Sequence, residues 1–263
     1  MWKKIENMNP DEQTAYYMAW FKELRFLAIL GLFIFTFYSS CFQPHRVPTG
    51  SMVPTIMIGD YILVDKSAYG LKFPFTEYMD SPWYLTPKTT PERGEVVVFR
   101  YPENPRLNYI KRILGVPGDR IEMKNHEWIV NGEIFALTAI GEPAEKENIE
   151  KRFFESGLDE FLTQTGNYEH KVLLSSPPKS PGDMNEIVLK ADHFFMVGDN
   201  RDHSLDSRHW GVVERSAIRG KALFVWFSLV SPFSGEKARI KKGRIGTELH
   251  LLRGPPAAET LSD

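Results

Sequence analysis

The chain has 263 residues, of which 42% are hydrophobic, 25% charged and 13% aromatic, a balance that excludes a wholly disordered, collagen-like or coiled-coil protein. Lys plus Arg number 32 against 34 Asp plus Glu, a net charge of −2, so no chain-wide basic field exists to gather nucleic acid. The single cysteine, Cys41, permits neither an intrachain disulfide nor a cysteine-based zinc cluster.

The first element in chain order is apolar. From Phe26 to Phe42 the chain reads FLAILGLFIFTFYSSCF without a charge. These residues span roughly 26 Å as a helix, against a hydrocarbon core of about 30 Å. Leu24 and the snorkelling Lys22 and Arg25 extend the usable length, and Pro44 is a stop. The lack of a polar face argues against a buried helix of a soluble domain. A cleaved export signal is disfavoured by the long charged leader, and Tyr38-Ser39-Ser40-Cys41 lacks the aliphatic residue expected before a lipidated cysteine. The sequence therefore predicts one transmembrane helix, with Cys41 at the membrane edge. Lys3, Lys4, Lys22 and Arg25 precede it and only Arg46 follows closely, which puts the N-terminus in the cytoplasm and the rest of the chain outside.

Beyond the helix the pattern is of strands. Tyr61 to Val64, Glu95 to Phe99, Tyr109 to Leu114, His193 to Val197 and Ala222 to Phe227 are short β-branched and aromatic runs bounded by Gly, Pro or Asp. Asn131-Gly132, between apolar flanks, predicts a hairpin, because this pair tolerates positive φ at both central positions. From about Gly141 to Asp183 the chain is charged and irregular, with a weak helical stretch over Ile149 to Phe161, and is read as an insertion. The fold class is mainly β. Residues 1–43 form a tail and membrane helix, and 44–125 and 191–253 form two parts of one catalytic β domain. Residues 126–190 form an inserted hairpin and cap lobe, and 254–263 a flexible tail.

Three segments carry chemistry. In Pro48-Thr49-Gly50-Ser51-Met52-Val53-Pro54-Thr55 a serine is constrained by Gly on one side and by Pro shortly after. In Asn108-Tyr109-Ile110-Lys111-Arg112-Ile113-Leu114, strand alternation puts Lys111 on the face of Tyr109 and Ile113, with Arg112 on the other. An ammonium on an apolar face loses hydration and holds its proton less tightly, which leaves a neutral amine usable as a base. The third segment, Gly198-Asp199-Asn200-Arg201-Asp202-His203-Ser204-Leu205-Asp206-Ser207-Arg208, is dense in short polar side chains. It does not fit a calcium loop, since Arg201 and Ser204 stand where such a loop needs Asp or Asn and Gly. Nor do His203 and His209 have a convincing third zinc ligand.

Taken with Gly59-Asp60-Tyr61-Ile62-Leu63-Val64, Arg93-Gly94-Glu95-Val96-Val97-Val98-Phe99 and Gly118-Asp119, these segments resemble the bacterial type I signal peptidases, or leader peptidases, in order and context over about residues 45 to 225. The resemblance implies a Ser/Lys dyad, with Ser51 as nucleophile and Lys111 as general base. It implies that Ser204 orients the lysine amine, that Asp199 and the Asp206–Arg208 ion pair support the loop, and that Arg112 faces away in a structural role. It also implies an oxyanion hole from the Ser51 N–H and the Thr49 hydroxyl, and Met52 near the substrate and the membrane-facing surface. No metal or cofactor is implied. The partners are signal-peptide-bearing preproteins, cut after small residues, and the lipid bilayer of the bacterial inner membrane, with no nucleic acid. A self-cleaving repressor is disfavoured by a membrane helix where a DNA-binding unit would sit. A penicillin-binding enzyme is disfavoured because its serine and lysine lie three apart on a helix. A non-catalytic anchored protein would not need to retain Ser51 with Lys111.

Overall fold

The computed structural model of the chain describes residues 9–74, 76, 82–141, 158–165, 168–230 and 239–249. Helix α1 (Pro10–Ser40) opens with a capping box: Asn9 accepts from the Glu12 N–H, and the Glu12 carboxylate accepts from the Asn9 N–H. Pro10 at the first position and acidic Asp11 and Glu12 in the first turn complete the N-terminal signal. The helix starts far earlier than the apolar run. Along it Leu24, Phe26, Leu27, Ile29, Leu30, Leu32, Phe33, Ile34, Phe35 and Phe37 are all exposed, from 40% for Leu30 to 66% for Phe33.

The expectation of a crossing segment needs correction. Among the described residues no helix is long and apolar enough to cross a membrane. Arg25, Glu23 and Lys22 stop the apolar stretch on its N-terminal side, and the polar Ser39 and Ser40 end it on the other, leaving less than the roughly 20 apolar residues a bilayer core asks for.

Strand β1 (Phe42–Arg46) follows at once and pairs with β2 (Asp60–Asp65). Next come β3 (Val96–Tyr101) and the long β4 (Asn104–Gly115), then β5 (Arg120–Lys124), β6 (Glu127–Val130) and β7 (Glu133–Phe135). β8 (Thr138–Gly141), β9 (Leu158–Thr165) and β10 (Tyr168–Ser175) form a separate three-stranded sheet in the order β10-β9-β8. The chain closes with β11 (Met184–Val188), β12 (His193–Val197), a short helix α2 (Ser207–Trp210), β13 (Val213–Glu214), β14 (Ile218–Val230) and β15 (Arg239–Ile240).

The central antiparallel sheet has the order β1-β2-β14-β3-β4-β12-β13, with β15 on β14. Both of its faces are covered, so β3 opens with an unbroken apolar run from Val96 to Phe99. Val96 and Val98 pack with Met52, Ile56, Ile62, Val64, Ala222 and Val225, while Val97 and Phe99 pack on the opposite side with Ile113, Phe194, Met196 and Ile218. A third cluster, centred on Trp128, Ile121, Phe135 and Phe195, fastens the four-stranded sheet β11-β5-β6-β7 to the central one. Its predicted hairpin is present: Asn131 (φ 56°) and Gly132 (φ 85°) both take the left-handed region between β6 and β7.

The insertion differs from its reading. Residues 149–157 of the expected helical stretch lie outside the described residues, and Leu158 to Phe161 belong to strand β9. β9 and β10 pair in continuous register from Tyr168↔Thr165 to Ser175↔Leu158. The 254–263 tail also lies outside the described residues.

Candidate active site

The serine loop follows β1 and turns tightly before β2. Gly50 O accepts from Val53 N at 3.2 Å and from Asn200 Nδ2 at 3.0 Å, and Ser51 O accepts from Asn200 N at 3.1 Å. Asn200 thus ties the loop to the segment after β12 through the carbonyls on both sides of Ser51. Met52 points the other way, fully buried in the cluster with Val47, Ile56 and Val64. The side chain beneath the loop is a core anchor and does not line the cleft that Ser51 faces.

Lys111 sits on β4 opposite Val97 of β3. Alternation holds as predicted, with Tyr109 on its face and the ring centroid 5.7 Å from Nζ. The Lys111 Nζ lies 2.5 Å from Ser51 Oγ and is only 3% exposed. Among the described residues Lys111 forms no ion pair. Burial lowers its pKa to about 8, against the pull of Asp206 and Asp199, which favour the ammonium, and with a further push from Arg208. A lysine whose proton is this loosely held, within hydrogen-bond reach of a hydroxyl, can exchange a proton with it near neutral pH.

Arg112, the next residue, emerges on the opposite face and is fully buried. Its Nε and Nη2 reach Asp199 Oδ1 and Oδ2 at 2.9 and 2.7 Å, and its Nη1 donates to Gly94 O at 2.8 Å. Thr55 Oγ1 donates to Asp199 Oδ2 at 2.5 Å. Burial alone would raise the Asp199 pKa, but the neighbouring Arg112 and its hydrogen bonds bring it below the ordinary carboxylate value.

The second carboxylate of the loop is paired just as fully. Arg208 donates from Nε and Nη2 to the two oxygens of Asp206, each at 2.8 Å. Asp206 also accepts from Gly198 N at 3.0 Å and caps α2 through Arg208 N, so the paired Arg208 outweighs burial and lowers its pKa. Gly198 is required by close approach: a Cβ there would stand 2.2 Å from Ser204 Oγ and 2.5 Å from Ser51 O. Ser204 is buried against this glycine, but its hydroxyl makes no hydrogen bond to Lys111, so the expected orienting bond is not met in this geometry.

Ser51 and Lys111 open onto a cleft of about 360 Å³. Two runs of consecutive residues line it, His45 to Thr49 and Leu107 to Lys111. Side chains of a strand alternate between faces, so consecutive residues can line one groove only if the groove runs along the strand edge. The pairing agrees: β12 takes only Arg112, Ile113 and Gly115 of β4, and among the described residues no strand pairs with the edge before them on that side. Thr49 is exposed on the wall of this cleft, beside Ser51. The side chains that sequence reasoning missed are Thr55, Asn200 and His170. The first two stand inside the quoted motifs, where their polarity was visible but their partners, 144 and 150 residues away, were not.

The family model described as signal peptidase, peptidase S26, matches residues 18–227. The signal peptidase I of Pseudomonas aeruginosa is 36% identical over 201 residues, covering 72% of this chain and 66% of that protein. That of Pseudomonas fluorescens is 32% identical over 87% of this chain and 78% of its own length. That of Aquifex aeolicus is 32% identical over 77% of this chain and 82% of its own.

Proposed function

The chain belongs to the signal peptidase family, peptidase S26, and on that premise we propose that it is a serine endopeptidase that removes signal peptides from exported preproteins, with Ser51 as nucleophile and Lys111 as general base. The observation that carries the reading is the 2.5 Å approach of Lys111 Nζ to Ser51 Oγ, made by an amine whose pKa burial has lowered to about 8. Neutral Lys111 takes the Ser51 proton as Oγ attacks the scissile carbonyl, and the resulting ammonium returns that proton to the departing amine. The amine, neutral again, then takes a proton from water, whose oxygen attacks the acyl-enzyme ester, and Ser51 recovers its hydrogen as the ester breaks. Oxyanion stabilisation is assigned to the Ser51 N–H and the Thr49 hydroxyl.

The groove between the edges at 45–49 and 107–111 suits an extended substrate that adds main-chain hydrogen bonds to β4. Its walls carry Val47, Ile62, Val98 and Ile110, apolar surface on which small side chains beside the cut would fit. The site is proposed to lie at the outer face of the bacterial cytoplasmic membrane. Two features support this: the second half of α1, from Phe26 on, exposes a dense set of apolar side chains, a surface suited to a lipid interface, and the register row of Lys111 runs through Val97, Lys221 and Asp65 to Phe42, directly after the helix.

The test uses the full chain in detergent and a preprotein substrate. Wild type is expected to release the signal peptide, and Ser51→Ala and Lys111→Ala each to lose about 10³-fold or more in kcat/KM. Undiminished cleavage by either variant removes the dyad. For location, a cysteine at exposed Glu133, in a Cys41→Ser background, is expected to react with a membrane-impermeant reagent in intact cells. Protection until the cells are lysed puts the domain on the inner side.

A further inference from the structure

The inserted lobe carries a fully buried titratable group that the mechanism above does not use. His170 lies on β10 at 0% exposure, with Nε2 3.7 Å from Asp199 Oδ1. That separation is too long for a hydrogen bond but puts the ring in direct contact with the carboxylate that holds Arg112 and Thr55. The same strand goes on to engage the catalytic loop. Leu173 N donates to Asp199 O at 2.9 Å, and the Leu173 side chain packs on Val53 and Met57, just after the nucleophile. Ser175 N and Ser180 N both donate to Asp202, each at 2.8 Å. Asn200, held between these contacts, is the residue that bonds both Gly50 and Ser51.

We infer that His170 is a positioning residue for the dyad: its imidazole closes the lobe side of the Asp199 carboxylate, so the inserted hairpin and the central sheet together set the loop that carries Asn200 and, through it, Ser51. The imidazole does this as a neutral dipole. Burial first and then the Arg112 charge push its pKa well below 6.5, with Arg201 adding to the push and Asp199 and a backbone contact to Tyr168 opposing it. A third cation, beside Arg112 and Arg201, would otherwise compete for the Asp199 carboxylate. The inference rests on the Ser/Lys protease reading, since it concerns the placement of that nucleophile.

The experiment compares His170→Gln, His170→Asn and His170→Phe in the full chain, each alone and with Asp199→Asn, measuring kcat and KM on a preprotein. Gln carries its amide nitrogen to about the reach of Nε2 and is expected to keep kcat within about threefold. Asn withdraws the polar tip and Phe removes it, and each is expected to lower kcat about tenfold or more, with KM within about twofold, as small misplacements of reacting groups do. In the Asp199→Asn background the His170 changes are expected to cost little more, because both act through one contact. Equal kcat for Gln and Asn, or fully additive losses with Asp199→Asn, overturns the positioning role. Should Phe prevent folding, the Gln and Asn comparison decides alone. Absence of cleavage by wild type would instead sink the protease reading, a separate result.

Discussion

Lys111 and Arg112 are neighbours on one strand, both buried, and their fates diverge because the two faces of β4 differ. On the lobe side Arg112 meets Asp199 in a two-point ion pair backed by Thr55, and Gly94 O accepts from its remaining terminal nitrogen. On the cleft side Lys111 meets a hydroxyl and an aromatic ring, with carboxylates acting on it only through space. Burial with a partner keeps a charge, whereas burial without one loosens the proton. Strand alternation thus gives one dipeptide two environments, one that pairs a cation and one that suits the base proposed for Lys111.

The sharpest way to break this contrast is Lys111→Arg, which keeps the cation but cannot release its proton. Cleavage of a preprotein is expected to fall about 10³-fold, and retained activity would mean Lys111 is not the base. Next in size is Asp199→Asn, which leaves Arg112 buried without its carboxylate. Urea denaturation is expected to report a loss of about 3 to 5 kcal/mol, and an unchanged midpoint would show that Arg112 needs no partner.

The pH dependence follows with its sign fixed. The Lys111 pKa is about 8 in the folded chain against an ordinary 10.5, so the folded state binds the proton less tightly than the unfolded one. The penalty is complete below pH 8 and fades as pH rises toward 10.5. Lys111→Met is therefore expected to stabilise the protein by about 3 kcal/mol below pH 8 and by little above pH 10.5, which thermal melts across that range would check. In wild type, kcat/KM is expected to rise about tenfold per pH unit below 8 and to level above it; a flat profile would contradict a titrating base. The smallest effect is expected at Met52→Leu, a volume-conserving core change costing about 1 kcal/mol with KM unaltered. A clear rise in KM would return Met52 to the substrate.

The sequence disclosed most of the central sheet because its strands bury apolar side chains on two faces, and Asn131-Gly132 disclosed its own turn through positive φ. The insertion hid for the opposite reason. Its strands turn polar groups inward, with Glu160, Thr163, Thr165 and His170 all buried, so hydrophobic alternation gave no signal there. The first half of α1 lies outside the uncharged run, so only its local capping box, Asn9 to Glu12, marks its start in the sequence. Within the site, the lysine's face was legible from its neighbours along β4. The Asn200 bridge to Gly50 and the His170 contact with Asp199 join distant stretches of chain that no spacing rule connects. Met52 adjoins Ser51 in sequence, yet the turn drives its side chain inward, a direction that adjacency alone does not give.

The vacant margin of β4 carries one more consequence. A polypeptide can lend its amides to that margin only while they are unclaimed, and a mature domain that has already folded back on itself claims its own. On the proposed protease reading, recognition through backbone would select for time as well as for composition. A cargo that folds quickly right up to the junction would shorten its own opportunity to be cut, and an unstructured spacer after the junction would lengthen it.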